Sequence, residues 1–282
     1  MYTTLISASE LQALKGPLAV IDCSADLNNA AAGRAQFEEQ HIAGAMFADI
    51  NTDLATHDHA LAINGGRHPL PSREHFAQFL SARGIDADTQ VVVYDRQGMN
   101  YCGRLWWMLK WCGHEAVAVL DGGLQAWLAA GGAVASGPAA DVEPAQFKLS
   151  EPLVVLKLTA DVSAALGKPS QTIVDARAPA RYKGETEPFD PVAGHIPGAL
   201  NRPFNSNFTP EGLMKSPAVL KAEFEALLNG RDANSVVHHC GSGISAIPNV
   251  LAMEVAGLGR PALYAGSWSD WCNTPGLPCA QG

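Results

Sequence analysis

The feature that most constrains this chain is that it repeats itself. VIDCSADL from Val20 is echoed by IVDARAPARY from Ile173, setting Asp22 against Asp175. HIAGA (His41 to Ala45) returns as HIPGA (His195 to Ala199), and VVVYD (Val91 to Asp95) as VVHHC (Val236 to Cys240). GGLQAW (Gly122 to Trp127) returns as GSWSDW (Gly266 to Trp271). The separations are 153, 154, 145 and 144 residues, in unbroken order. Four ordered matches at a near-constant offset mark a duplicated domain, and 282 residues accommodate two domains of ordinary size. Between the copies lies AAGGAVASGPAADVEP, ending at Pro144, an Ala/Gly/Pro stretch with little to bury. The expected division is a domain over 1–135, a linker over 136–155 and a second domain over 156–282.

Each copy alternates two kinds of segment. LAVID and QVVVYD are short β-branched runs bounded by turn residues, the pattern of buried strands. SREHFAQFLSARGI carries Ser72 as an N-cap, apolar Phe76, Phe79 and Leu80 at helical spacing, and Gly84 as a stop. CGRLWWMLKWCGH predicts a second helix ending at Gly113, followed by the strand AVAVLDGG and the helix LQAWLAAGG. The second copy keeps this order: strand TIVDAR, helix SPAVLKAEFEALLNG, strand SVVHHC, helix AIPNVLAMEVAGLG, strand PALYAG. Strands alternating with helices predict an α/β fold, each copy a mostly parallel sheet flanked by helices. Ligands of such sheets bind at the carboxyl ends of the strands, where Cys240 falls.

Charge and composition exclude several partners. The net charge is −9 and no Lys/Arg run is present, which argues against nucleic acid and anionic membrane. An anionic substrate would need a local positive pocket to overcome that field. The N-terminus MYTTLISASELQALKG lacks the basic and apolar regions of a signal peptide, and no run approaches the ~18 apolar residues of a membrane span. Six scattered cysteines without CxxC pairs read as reduced thiols, so the expected location is the cytoplasm.

The candidate site is CGSGISA, Cys240 to Ala246. A thiol reacts as thiolate and needs surroundings that stabilise negative charge. A strand end followed by a tight loop that opens a helix provides them. The backbone N–H groups of Gly241, Ser242, Gly243, Ile244 and Ser245 can form an anion nest, and the following helix adds its positive end. A packing cysteine needs no Gly-Ser-Gly after it; Cys23, Cys102, Cys112, Cys272 and Cys279 lack such a loop and read as packing residues. A phosphatase of the Cys-x5-Arg type would need arginine at position 246, which is Ala246. A zinc site at His238, His239 and Cys240 is disfavoured, because adjacent strand residues face opposite sides.

A duplicated α/β domain with HIPGA, CGSGISA and YAGSWSDW in its second half resembles the tandem-domain sulfurtransferases of the rhodanese family, over about Leu5 to Pro278. The resemblance implies an inactive first domain, with Asp95 at the cysteine position, and an active second domain. It implies a cysteine that takes sulfur from a donor, becomes a persulfide, and passes the sulfur to cyanide or a thiol. No metal or organic cofactor is required by that chemistry. CGSGISA is similar to the loop of the family's mercaptopyruvate-using branch, as opposed to the thiosulfate-using branch, which tends to carry basic loop residues. There Ser242 would stand beside the cysteine, with His68 of GGRHPLP and an aspartate completing a proton relay; Asp49 and Asp53 both compete for the last place.

In that branch two arginines grip the donor carboxylate. Arg181 matches the first; the second falls at Phe189, within EPFDP. That departure leaves mercaptopyruvate and thiosulfate both open as donors, and Arg202 of GALNRPF is the candidate either to compensate for it or to serve a different donor. Arg177, His41, His195, Trp127 and Trp271 read as scaffold, the histidines and tryptophans because they occur in both copies. The rival to an enzyme is a non-catalytic module using the same scaffold for sulfur carriage or partner binding.

Overall fold

The computed structural model describes residues 1–58, 60–139 and 141–282. Position 140, inside the expected linker, lies outside the described residues. The chain divides into two compact units. The first comprises Met1–Leu61, Pro71–Leu153 and Thr209–Met214; the second comprises Ala62–Leu70, Val154–Phe208 and Lys215–Gly282.

In the first unit the strands are β1 (Leu5–Ile6), β2 (Leu18–Asp22), β3 (His41–Ile42), β4 (Met46–Phe47), β5 (Gln90–Tyr94), β6 (Val117–Leu120) and β7 (Val134–Ala135). Five form a parallel sheet in the order β1-β6-β5-β2-β4, and β3 pairs antiparallel with β7. The second unit has β8 (Leu156–Lys157), β9 (Thr172–Asp175), β10 (Leu200–Asn201), β11 (Val236–His239) and β12 (Ala262–Tyr264). Its parallel sheet runs β10-β9-β11-β12-β8, the same topology met from the other edge. Both five-stranded sheets are wholly parallel, which accords with their near-continuous apolar strands. Val91, Val92 and Val93 are fully buried, each contributing about 1.5–3 kcal/mol through removal from water.

Helix boundaries follow the sequence signals. Ser72 Oγ accepts the N–H of His75 to cap Arg73–Ala82, and Cys102–Trp111 ends before Gly113, whose φ is +86°. All ten residues of Cys102–Trp111 are buried. The expected linker has no regular structure at 141–153 but is not loose. Phe147 is buried, its N–H meets Ser81 Oγ at 3.1 Å, and the Ser150 N–H reaches the Cys112 carbonyl.

The residues repeated between copies do repeated structural work. His41 stacks on Phe37 with centroids 3.8 Å apart, and His195 stacks on Tyr182 at 3.9 Å. Nδ1 of each faces the carbonyl of its partner's residue, Phe37 or Tyr182. Trp127 Nε1 donates to the Ala133 carbonyl and Trp271 Nε1 to that of Pro278. Those four side chains are scaffold.

Candidate functional site

Cys240 follows the central strand of the second sheet directly and is 2 % exposed. Its loop is fixed to the turn after β12. The Cys240 N–H donates to Ser267 Oγ (3.1 Å), which donates onward to the Tyr264 carbonyl (2.9 Å). The Cys240 and Gly241 carbonyls accept from Trp268 (3.0 Å) and Ser269 (2.9 Å). Gly243 has φ +79°, and a Cβ there would stand 2.2 Å from the Ala265 carbonyl oxygen, so only glycine fits. The N–H groups of Gly241, Ser242, Ile244 and Ser245 meet no acceptor among the described residues, which leaves them open to an anion.

The matching loop of the first unit is already filled. Asp95 follows β5 as Cys240 follows β11. Its Oδ1 accepts the N–H groups of Gln97 (2.9 Å) and Met99 (3.0 Å); its Oδ2 accepts those of Tyr101 (2.8 Å) and Cys102 (3.0 Å). The side chain at the position equivalent to Cys240 is thus the acceptor that its own loop binds. Burial still raises the Asp95 carboxyl, with the backbone donors pulling the other way.

Three groups gather at the Cys240 loop. Ser242 Oγ lies 2.8 Å from His68 Nδ1, and His68 belongs to the segment Ala62–Leu70 that folds with the second unit. Arg181 holds Glu187 through Nε (3.2 Å) and Nη2 (2.7 Å to Oε1). Arg67, adjacent to His68, pairs through Nη1 with Asp190 and hangs by its N–H on Ser269 Oγ (3.0 Å). Sequence reasoning missed Arg67, Glu187 and Asp190. The only signal was a basic residue beside His68, which spacing could not connect to Cys240.

Arg202 has other partners. Its Nη2 donates to Asn207 (2.9 Å) and Glu223 (2.8 Å), and its guanidinium lies 4.2 Å from the Phe224 ring centroid. Arg177 is buried, forked onto Asp175 and bonded to Glu187 and the Gly194 carbonyl, a structural arrangement. Asp53 accepts the Asp49 N–H and pairs with Arg83 at 3.6 Å. The rings of His238 and His239 face different neighbours: Met253 and Phe224 for the first, Asp175 and Tyr264 for the second. Burial lowers His239 more than Asp175 raises it, so the ring is neutral beside that carboxylate.

Among the other thiols, burial raises Cys23 and Cys102 well above the ordinary range and Cys112 and Cys272 to about 11. Such thiols are poor nucleophiles at neutral pH. The loop that follows Cys240 carries open N–H donors and a hydroxyl–imidazole pair, and two guanidinium groups lie against its Gly241. That set suits transfer of an anionic group onto sulfur.

Comparison with known proteins agrees. The family model described as a rhodanese-like domain matches twice, at residues 7–130 and 158–274. A probable 3-mercaptopyruvate sulfurtransferase of Pseudomonas aeruginosa is 42% identical over 99% of this chain and 98% of its own length. A putative thiosulfate sulfurtransferase of Mycobacterium tuberculosis is 36% identical over 99% of this chain and 97% of its own. The structure of a 3-mercaptopyruvate sulfurtransferase from Leishmania major superposes with a TM-score of 0.82 at 29% identity, covering 98% of this chain and 76% of that one.

Proposed function

This chain belongs to the rhodanese-like domain family, in two tandem copies, and is a sulfurtransferase; we propose that it works through a persulfide on Cys240. The observation that carries this reading is the contrast between the two loops. One loop's N–H groups are filled by the Asp95 carboxylate, whereas four in the other, beside a cysteine, meet no acceptor among the described residues. The first domain is accordingly the inactive one.

The donor is a small anionic sulfur compound, mercaptopyruvate or thiosulfate. The Cys240 thiolate attacks the donor sulfur and a new S–S bond forms. With mercaptopyruvate the C–S bond breaks, its electron pair passes to the enolate, and the donor's thiol proton ends on carbon as pyruvate. With thiosulfate the S–S bond breaks and sulfite leaves. Either way Cys–S–S⁻ remains, and attack by cyanide or an acceptor thiolate on the outer sulfur restores the thiolate. The Ser242–His68 pair is the proton carrier for the first route, and the open loop N–H groups stabilise the persulfide anion.

Among the described residues no helix is long and apolar enough to cross a membrane. All six cysteines are unpaired, which supports a reducing compartment and the cytoplasm as the working location. The test is intact mass after exposure to each donor. A gain of one sulfur atom, absent in Cys240→Ser, is the expected result; no gain with either donor refutes the reading. Relative turnover of the two donors then fixes the subtype.

A further inference from the structure

The backbone of Cys240 is held on both sides by one turn. Its N–H donates to Ser267 Oγ at 3.1 Å, and its carbonyl accepts the N–H of Trp268 at 3.0 Å. Ser269 then donates its N–H to the Gly241 carbonyl at 2.9 Å. The first of these contacts differs from the others, because a side chain makes it and that side chain stands on unfavourable backbone. Ser267 has φ +56°, in the left-handed region that glycine tolerates and other residues enter at an energetic cost. It is fully buried, and its hydroxyl donates onward to the Tyr264 carbonyl at 2.9 Å.

The other copy shows what this turn needs where no cysteine is present. When GGLQAW is matched to GSWSDW, Gly123 takes the place of Ser267 and Leu124 that of Trp268. Gly123 has φ +57°, so glycine supports the same backbone conformation there. A Cβ on Gly123 would stand 2.2 Å from the Asp95 carbonyl oxygen, which leaves that copy no room for a side chain. Leu124 still donates its N–H to the Asp95 carbonyl, at 3.3 Å. The carbonyl contact is thus common to both copies, whereas the hydroxyl contact belongs to the copy with Cys240. Backbone strain of this kind gathers at functional sites, and here it lies directly against the Cys240 peptide.

We propose that Ser267 is a positioning residue for the nucleophile: its hydroxyl fixes the Cys240 peptide so that the sulfur is presented to the open N–H groups of its own loop. The assignment rests on Cys240 as the reacting residue. Ser267 Oγ accepts from one peptide and donates to another, so it cannot rotate without breaking a bond. Loss of that oxygen leaves the Cys240 N–H buried without its acceptor, and the peptide turns to find another. The sulfur moves with the peptide. The thiolate then loses part of its N–H stabilisation, and its line of attack on the donor sulfur is misaligned. Ser267 touches neither donor nor acceptor in this scheme; it acts through the geometry of Cys240.

The test uses two variants that lose the same hydroxyl but differ in strain. Ser267→Ala keeps a side chain at positive φ and Ser267→Gly does not, so the glycine variant should melt at the higher temperature. Despite that difference the two are expected to lose function alike. Sulfur loading onto Cys240, from whichever of mercaptopyruvate and thiosulfate loads faster, is followed by intact mass in a single turnover. Its rate should fall about tenfold or more, the size of effect that a small misplacement of a reacting group produces. Donor KM should change less than kcat. The pH midpoint for alkylation of Cys240 by iodoacetamide should rise; it is read on the Cys240 peptide by mass, so that the exposed Cys279 does not interfere. A residue that only supports packing would leave that midpoint in place. Ser267→Gly with a wild-type loading rate and midpoint overturns the assignment. A defect confined to Ser267→Ala also overturns it, by tracing the effect to strain, and failure of both variants to fold would make Ser267 scaffold. If the wild-type protein gains no sulfur from either donor, the persulfide reading falls while the alkylation midpoint still tests Ser267.

Discussion

His68 Nδ1 lies 2.8 Å from Ser242 Oγ although 174 residues separate them in the chain. The contact forms because Ala62–Leu70 folds with the second unit, and the packing there is tight. A Cβ on Gly65 would stand 2.3 Å from Asp270 Oδ1, and one on Gly66 would stand 2.6 Å from Ser269 Oγ. Two glycines therefore let the segment carrying Arg67 and His68 approach the turn that also anchors the Cys240 loop. Ser269 joins the two, donating its N–H to Gly241 and accepting that of Arg67.

The His68–Ser242 pair is expected to act as one unit. Ser242→Ala and His68→Ala should each reduce kcat/KM with mercaptopyruvate about a hundredfold. The double variant should be little worse than either single one, because each removes the same relay. Steady-state kinetics on the three proteins checks this, and full additivity would show the two groups to be independent.

Gly241 and Gly243 should fail differently. Gly243→Ala combines a positive φ with a backbone clash and is expected to destabilise the fold by several kcal/mol, roughly the sum of strain and overpacking. Gly241→Ala meets only the tips of two flexible side chains. It should therefore leave the melting temperature nearly unchanged while raising donor KM. Thermal unfolding and kinetics on the pair of variants distinguish the two effects.

Asp95→Ala should leave four backbone N–H groups without their carboxylate. The expected cost is about 3 kcal/mol of stability, with turnover at Cys240 retained when the protein is assayed well below its melting temperature. Denaturant unfolding measures the first quantity. Loss of activity without loss of stability would mean that the first unit takes part in the reaction.

Acid sensitivity is expected to come in part from His238. Burial first, then the charge of the nearby Arg202 guanidinium, lowers it from 6.5 to about 3. Between those values the unfolded chain binds a proton that the folded chain refuses. Its contribution is therefore fully present above about pH 6.5 and is lost as pH falls towards about 3, at up to about 1.4 kcal/mol per pH unit. His238→Leu should flatten the stability profile across that window, as followed by denaturant unfolding at stepped pH. An unchanged slope would assign the acid sensitivity to other groups.

Local sequence was enough for the duplicated α/β plan, the major strands and helices, and the glycine-rich turn that follows β11 at Cys240. Buried parallel strands leave long apolar runs such as QVVVY, and a nucleophile loop must be built of glycines and small residues; both signals are local. The two-residue strands β1, β4, β8 and β10 leave no such trace, because periodicity needs more residues to register. Tertiary structure alone decided the charges around the site. Arg202 looked from the sequence like a compensating arginine, yet its Nε and Nη2 donate to Asn207 and Glu223. Arg67 lies far from Cys240 in the chain, and only the folding of Ala62–Leu70 against the Ser269 turn brings it to Gly241. Spacing along a chain reports what neighbours can do together; which distant guanidinium reaches a given loop depends on packing.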